Sequence, residues 1–503
     1  MTSPCASCNF HPSHCPRMKR DSLPIESLPA WVRFNGIKAN GVAFQKLVSP
    51  RGTGIVASRD QMSSDETEPP ILLEIPSDLI LSLETVHNYA KSDRYLREVL
   101  EAVGNFGRTA RGAIMIFLLV QMTHSSPDYQ DKIGVSSPWT EYLKFLPSSF
   151  PLPTFYTPEE QMLLRGTSLE SAVEAKIDSL EREFEHILQS TDGIAWCQQR
   201  WWAVDTGKLT IDDWKYVDAA YRSRMVDLPG SGLAMVPCID MANHVSGDAV
   251  NARYDQDADG TAILQLRSGK NLHIGDELAI SYGDEKPASE MVFSYGFLED
   301  DRTEAKEVFL GIEIPDDDPL GAAKKMFCRE APGVRISTGS EARSHTTWDS
   351  AFVWWACVNE EDGLDIGVAQ TTDGQRELET GWKGVKIQEP TQLRELLAAE
   401  PSWDIFQLRA VVLLLQRLET QLAVMQETEE IISALRDKQP AFETIFRPEV
   451  LGLVSRLRGL EASLLQKGVE DLMNQKNTLL QSDTVLAYLN QQSHDADEPE
   501  DFS

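Results

Sequence analysis

Amide, imidazole and phenol side chains occur together in a few short segments of this sequence. These segments are Gly52-Thr53-Gly54, Asp240-Met241-Ala242-Asn243-His244, Ser281-Tyr282-Gly283 and Tyr295-Gly296-Phe297. Taken singly, each is typical of an ordinary turn, cap or strand end. Their order carries more information, because the Asn-His pair follows an apolar strand. A hairpin with its predicted turn at residues 257–260 comes next, and residues 274–278 then lead into Tyr282. We therefore treat the four segments as one candidate site.

This set of motifs resembles the SET-domain methyltransferases. The resemblance is strongest to the branch with a split SET domain and a C-terminal helical substrate-binding domain, typified by the Rubisco large-subunit lysine methyltransferase. It extends over roughly Trp31 to Gln481, and the block from Asp213 to Glu299 is its most specific part, since there the motifs and their structural context agree. The resemblance implies an α+β fold, with a β-rich SET domain containing a pseudoknot, a helical insert and an all-α C-terminal domain.

The resemblance also implies S-adenosyl-L-methionine as the cofactor, which carries a carboxylate, a sulfonium cation and an adenine. Arg224 matches the family position that holds the carboxylate in a charge-assisted contact, and Asn243 with His244 matches the pair that binds the methionine part and the adenine. Pro70, directly before one matched backbone segment, departs from the pattern because it has no N–H to donate. The implied cofactor-binding residues are Gly52, Thr53, Gly54, Ile71, Leu72, Arg224, Asp240, Asn243, His244, Tyr295, Gly296 and Phe297.

Tyr295 and Tyr282 are the implied catalytic residues, and Val226 and Tyr282 the implied substrate-binding ones. Tyr295 matches the tyrosine whose hydroxyl points at the methyl-transfer channel of the family. The implied reaction is an in-line displacement, in which the enzyme mainly aligns a neutral amine with the methyl carbon. Burial beside a sulfonium lowers the pKa of the substrate lysine by desolvation and charge repulsion. No metal is expected.

Two other functions remain open at this stage. A relative in the same branch methylates a histidine of actin, and there an Asn stands two residues after the matched arginine, where this chain has Val226. An apolar wall suits an alkyl side chain, so Val226 and Tyr295 together favour lysine as the acceptor. The second alternative is a catalytically inactive SET-like scaffold that binds protein through its C-terminal helices.

Composition restricts the partners. The chain has 503 residues and a formal net charge of −31, which argues against direct nucleic-acid binding and suits a basic protein substrate. The longest apolar run, from Ala113 to Val120, is far shorter than the roughly 20 residues of a membrane helix and predicts a buried core helix. The sequence shows no secretory signal, and its seven cysteines lack the spacing of a disulfide framework. We therefore expect the protein in the cytoplasm, the nucleus or both. We also expect a monomer.

Hydrophobic patterning divides the chain. We expect a disordered lead over 1–27, a SET domain over 28–305 with a helical insert at about 84–220, a helical substrate-binding domain over 306–486 and an acidic tail over 487–503. The amphipathic stretches Ile405 to Asp437 and Pro448 to Gln481 favour a helical bundle. In the lead, Cys5, Cys8, His11, His14 and Cys15 are capable of binding metal, but a single short cluster is weak evidence for a zinc site.

Overall fold

The computed structural model describes residues 18–48, 51–62, 69–129, 131–314, 317–329, 331–339, 345–370, 376–438 and 445–497. The Cys and His residues of the lead lie outside these ranges. The strands are β1 Lys38–Ala39, β2 Val42–Lys46, β3 Thr53–Ala57, β4 Gln61–Met62, β5 Ile71–Ile75, β6 Met225–Leu228, β7 Gly232–Met235, β8 Asn243–His244, β9 Ala252–Gln256, β10 Ala262–Leu266, β11 Asn271–Leu272, β12 Glu277–Ile280, β13 Glu307–Gly311, β14 Gly333–Thr338, β15 Thr346–Asp349, β16 Leu364–Gln370, β17 Arg376–Trp382 and β18 Val385–Ile387.

The α-helices vary from single turns to more than thirty residues. They are α1 Leu28–Phe34, α2 Leu83–Ser92, α3 Arg94–Ala102, α4 Ala110–Ser125, α5 Pro138–Tyr142, α6 Pro158–Met162, α7 Leu169–Thr191, α8 Ala195–Cys197, α9 Ile211–Arg224, α10 Ala288–Tyr295, α11 Gly321–Cys328, α12 Phe352–Ala356, α13 Gln392–Ala398, α14 Trp403–Lys438, α15 Pro448–Leu479 and α16 Asp483–Asp497. None of them, within the described ranges, is both long and apolar enough to span a bilayer.

The chain forms two compact units. The first contains the described part of 18–155 together with Val173–Asp284 and Phe293–Glu299. The second contains Tyr156–Ala172, Glu285–Val292 and the described part of 300–497. The α+β class expected from the sequence is confirmed.

The first unit holds the short strands around a helical core. One sheet has the order β1-β5-β10-β9 and another the order β2-β3-β12-β8, and the pairs β4–β11 and β6–β7 are separate. The hairpin predicted at 257–260 is confirmed: the Asp257 carboxylate accepts from the N–H groups of Asp259 and Thr261, and Gly260 adopts a φ of 81°. Helix α4 lies in the core, with Ala113 to Val120 buried as expected.

The beginning of this unit is more ordered than the sequence suggests. Met18 is buried, and the Leu23 N–H donates to the carbonyl of Lys144. The guanidinium of Arg20 lies 3.6 Å from the centre of the Tyr216 ring. These contacts correct the expectation of disorder for residues 18–27, because one apolar and one stacked side chain fix a segment whose polar composition predicts no structure.

The second unit contains the two predicted long helices, α14 and α15, and α16 after them. Beside the helices lie two three-stranded sheets, β13-β14-β15 and β16-β17-β18, so this part of the chain is not exclusively α-helical. The sequence indicated only one short strand here. In β16 a single residue, Leu364, is buried, so the period-two apolar pattern that identifies a strand is missing. Helix α16 extends to Asp497, past the expected start of the tail at 487.

Candidate active site

The Asn-His pair occupies a two-residue strand that pairs in parallel with β12. Asn243 lies opposite Ala279, and His244 lies opposite Ile280. On its other side β12 pairs antiparallel with β3, the strand that begins at Thr53. This sheet therefore brings together three segments that are distant in the sequence.

The side chain of Asn243 faces the Gly-Thr-Gly turn. Its Nδ2 donates to the carbonyl of Arg51 (3.4 Å) and to Oε1 of Glu277 (2.8 Å). The guanidinium of Arg51 pairs with the same Glu277 carboxylate. Gly54 has no room for a side chain, because an added Cβ would lie 2.4 Å from Cδ1 of Leu47 and 3.1 Å from the Asn243 Nδ2.

The imidazole of His244 is held from both of its nitrogens. Its Nδ1 accepts from the main-chain N–H of Tyr282 (3.0 Å), so the proton of the neutral ring is on Nε2. That Nε2 donates to Oε1 of Glu299 (3.1 Å), which also accepts from the Ser246 hydroxyl (3.2 Å). The ring is fully buried, so its tautomer and orientation are fixed by Tyr282 and Glu299.

Arg224, the last residue of α9, forms a buried ion pair with Asp240. Its Nη1 lies 3.0 Å from Oδ2 of Asp240 and 2.9 Å from the Asp240 carbonyl oxygen. The side chain of Arg224 is 16% exposed and that of Asp240 is 1% exposed. Burial acts to lower the pKa of Arg224, but the Asp240 carboxylate outweighs it and the pKa is raised.

A buried tyrosine, Tyr142, forms a further hydrogen bond to the carboxylate of this ion pair. The hydroxyl of Tyr142 donates to the other carboxylate oxygen of Asp240 and accepts from the N–H of Cys238 (2.7 Å). Burial, the dominant cause, raises the pKa of Tyr142 well above its usual value, so the phenol stays protonated. Cys238 starts the turn that leads to Asp240. Its φ is 72°, a strained conformation for any residue other than glycine.

The two tyrosines lie side by side. The centres of the Tyr282 and Tyr295 rings are 4.6 Å apart, and the Tyr282 ring stacks on His244 at 5.1 Å. The Tyr282 hydroxyl donates to the carbonyl of Ala242 (2.9 Å), and burial raises its pKa above the usual value. Phe297 lies 6.2 Å from the His244 ring. The two tyrosines and His244 thus form one aromatic group.

Gly296 connects Tyr295 to Phe297 at a position that requires glycine. Its φ is 78°, and a Cβ there would lie 2.6 Å from the carbonyl oxygen of Pro151. Tight contact with Pro151 thus sets the path of the chain directly after Tyr295.

Most predicted site residues belong to this arrangement, and a few lie elsewhere. Ile71 and Leu72 are in β5, in the sheet that does not contain Asn243, and their role as cofactor contacts stays a prediction. Val226 is half-buried in β6, opposite Ala234 of β7, and packs against the core of the first unit. Sequence reasoning missed Arg51, Glu277, Glu299 and Tyr142. Of these, Arg51 and Glu277 had a local signal, since Arg51 directly precedes Gly52 and Glu277 lies within residues 274–278.

No group of three or more His, Cys, Asp or Glu side chains within the described ranges is placed to hold a metal ion.

No family model matches the sequence. Over 450 residues the chain is 24% identical to SET domain-containing protein 8 of Schizosaccharomyces pombe, a match that spans 89% of this chain and 94% of that protein.

Solved structures carry the same fold. The SET domain of LSMT, crystallised with MeLysine and AdoHcy, superposes with a TM-score of 0.62 at 17% identity, and the match covers 95% of this chain and 96% of the LSMT chain. The chain is therefore similar in sequence to SET-domain proteins and shares the fold of the Rubisco LSMT structures. The resemblance expected from the motifs is thereby confirmed.

Two more relatives differ in the acceptors that their names give. The chain is 25% identical over 308 residues to the chloroplastic fructose-bisphosphate aldolase-lysine N-methyltransferase of Arabidopsis thaliana, over 58% of this chain and 55% of that protein. It is 23% identical over 359 residues to the actin-histidine N-methyltransferase of Gallus gallus, over 68% of this chain and 54% of that protein. The match thus spans about half of each of these two enzymes.

Proposed function

We propose that this SET-domain protein transfers a methyl group from S-adenosyl-L-methionine to the side-chain amine of a lysine in another protein. The observation that carries the proposal is the convergence at β8. There Asn243 contacts the turn before β3, and His244 contacts the chain at Tyr282, whose ring lies against Tyr295. One small strand thus connects the polar side chain of Asn243 to a pair of phenols.

The side chains at this site fit the cofactor. The buried Nε of Arg224 has no hydrogen-bond partner in the described part of the chain, and it suits a ligand carboxylate. The Oδ1 of Asn243 supplies an acceptor, while the Nδ2 of the same amide donates to Arg51 and Glu277. Gly52, with a φ of 67°, has open space where a Cβ would be, so a ligand can approach its backbone closely. Arg224, Asn243, His244 and the Gly52–Gly54 backbone would hold the cofactor.

The bound cofactor supplies an electrophilic methyl group, and the chain's own residues orient the nucleophile. Tyr282 stays neutral, because burial raises its pKa and its hydroxyl donates to the Ala242 carbonyl. It is therefore a fixed dipole and not a base. Tyr295, at its side, is proposed to direct the lone pair of the amine. Burial lowers the pKa of the incoming lysine, so its ammonium releases a proton to solvent before the neutral amine reacts.

We propose lysine rather than histidine as the acceptor because the side chain of Val226, close to Arg224 in the sequence, is apolar. Val226, two residues after Arg224, offers methyl groups and no hydrogen-bonding group to an acceptor. A site for an imidazole needs a donor or acceptor for the second ring nitrogen, and a site for an alkyl chain needs only apolar contact. Tyr295 supports the same choice.

Net charge and cysteine chemistry support a proposal for the partner and for the compartment. A net charge of −31 favours a basic protein substrate, and we propose that the enzyme acts as a monomer. The four cysteines within the described ranges, Cys197, Cys238, Cys328 and Cys357, are buried and are not joined in disulfides. Such thiols suit a reducing compartment, so we propose the cytoplasm, the nucleus or both.

The test uses the full chain, cofactor with a tritiated methyl group and a cell extract. Labelled proteins are identified by mass spectrometry, and their hydrolysates are separated to distinguish methyl-lysine from methyl-histidine. Label in methyl-lysine that is lost with Asn243→Ala supports the proposal. Label in methyl-histidine would transfer the assignment to the histidine branch. Absence of label together with absence of cofactor binding by calorimetry would leave only the scaffold.

A further inference from the structure

Arg222 lies two residues before Arg224 on α9 and has no part in the site described above. Its Nη1 donates to the carbonyl of Phe293 (2.6 Å), and its guanidinium carbon lies 4.4 Å from the centre of the Phe293 ring. Its Nη2 donates to the hydroxyl of Thr154 (3.4 Å). The side chain is only 12% exposed, so these contacts are made with little competition from water.

Arg222 also belongs to a network of charged side chains centred on Asp218. Asp218, one turn earlier on α9, lies 3.4 Å from the Nε of Arg222 and is 1% exposed. The Asp218 carboxylate also accepts from Arg111 (2.9 Å) and Lys176 (2.7 Å). Burial acts to raise the pKa of Asp218, but the surrounding cations outweigh it and the pKa is lowered. Arg222 is therefore backed by a carboxylate that is ionised and fixed.

The carbonyl that Arg222 contacts belongs to the last turn of α10, which ends at Tyr295. Carbonyls in the last turn of a helix have no N–H partner within the helix, and a cation there also meets the negative end of the helix dipole. Phe293 is two residues before Tyr295, and Gly296 directly after it is pressed against Pro151. Arg222 and Pro151 thus hold the chain on either side of Tyr295.

We propose that Arg222 is a positioning residue that sets the direction of the Tyr295 phenol through the Phe293 carbonyl. This inference rests on the proposed methyl transfer, in which Tyr295 aligns the amine. Alignment is sensitive to small displacements, since about 1 Å of misplacement costs on the order of a hundredfold in rate. Arg222 itself need not touch the cofactor or the substrate.

The kinetic test is a double-mutant cycle on single-turnover methyl transfer. We expect Arg222→Met to lower the rate at least about tenfold while the Kd for the cofactor changes less than about threefold. Arg222→Lys, which keeps one donor for the Phe293 carbonyl, should recover most of the loss. In a Tyr295→Phe background the same Arg222→Met change should alter the rate less than about twofold, because the hydroxyl that it positions is gone.

The control is Lys176→Met, which removes another cation from Asp218 without touching Phe293, and it should leave the rate within about threefold of wild type. Equal losses from Lys176→Met and Arg222→Met, or full additivity with Tyr295→Phe, would assign Arg222 to general stability and overturn the proposal. If Arg222→Met does not fold, Arg222→Gln takes its place in the cycle.

A readout independent of activity separates this inference from the proposed function. The protein is labelled with 3-fluorotyrosine, and the fluorine resonance of Tyr295 is assigned by its loss in Tyr295→Phe. This resonance should shift or broaden in Arg222→Met and stay unchanged in Lys176→Met. An unchanged resonance in Arg222→Met refutes the positioning role even if the wild type transfers methyl groups. If the resonance shifts in Arg222→Met but the wild type transfers no methyl group, only the proposed function is refuted.

Discussion

Replacing Asp240 by alanine tests whether this residue is a structural partner of Arg224 or a ligand of the cofactor. The motifs imply a cofactor-binding role for Asp240, but its carboxylate is already occupied by Arg224 and by the hydroxyl of Tyr142. In Asp240→Ala the guanidinium of Arg224 stays buried and loses its counter-charge. The main effect should therefore be on the free energy of unfolding.

The magnitude follows from the burial of the pair. Removing one member of a buried ion pair costs about 3 to 5 kcal/mol, because the remaining charge is uncompensated. Two contacts remain in the variant. The Arg224 Nη1 still reaches the main-chain carbonyl of residue 240, and the Tyr142 hydroxyl still accepts from the Cys238 N–H. We therefore expect a loss of about 3 kcal/mol, at the lower end of that range.

Differential scanning calorimetry measures this loss in the transition of the first unit. At roughly 2 to 4 °C per kcal/mol for a unit of this size, the Tm should fall by about 6 to 12 °C. The matched control is Asp227→Ala. Asp227 is an exposed aspartate in β6, the strand directly after Arg224, and its replacement should change stability by less than about 0.5 kcal/mol. A Tm for Asp240→Ala within about 2 °C of the control, together with lost cofactor binding, would refute the structural role and assign Asp240 to the ligand.

Three further predictions concern other residues. Asn243→Ala should abolish cofactor binding by calorimetry without loss of the folded state, and unchanged affinity would remove the basis of the site. Tyr295→Phe should lower single-turnover transfer by about 30 to 1,000-fold, or 2 to 4 kcal/mol, with nearly unchanged cofactor affinity, whereas a loss below about threefold would mean that the ring only packs. Burial raises the pKa of Glu461 in the second unit to about 7, although Ser168 donates to its carboxylate. Because the folded form holds the proton more tightly than the unfolded form, wild-type stability should fall by about 3 kcal/mol between pH 4.5 and 7, relative to Glu461→Gln, and parallel pH profiles of denaturation would contradict this.

The local parts of the site are readable from the sequence. The hairpin at 257–260 is encoded by Asp and Gly within four residues, and α9 by Thr210 with Asp213, whose carboxylate accepts from the Thr210 N–H (3.0 Å). Arg224 is predictable as the residue at the end of that helix. Patterns of this kind depend on neighbours in sequence, so no tertiary information is needed to recognise them.

The partners of the site side chains are not readable in this way. Glu299 is 55 residues from His244, and Arg51 is 192 residues from Asn243. Their pairing depends on the parallel register of β8 with β12, which no local pattern specifies. The same limit applies to Glu160, a buried residue of the second unit whose carboxylate accepts from Arg447, 287 residues further along. From the sequence alone, a glutamate in a short helix is predicted to be exposed, because the arginine that pairs with it is not known.

The charge balance at Arg224 bears on how the cofactor would be recognised. Arg224 and Asp240 together are neutral, so a ligand carboxylate does not meet an uncompensated cation. The guanidinium offers instead a buried Nε that lacks a hydrogen-bond partner in the described residues, in a direction fixed by the bond from Nη1 to Asp240. The ion pair thus acts as a support that orients one donor, and the gain on binding comes from satisfying that donor in a site with little water. Retaining Asp240 is therefore compatible with binding an anion, because the carboxylate fixes the arginine without using the nitrogen that the ligand needs.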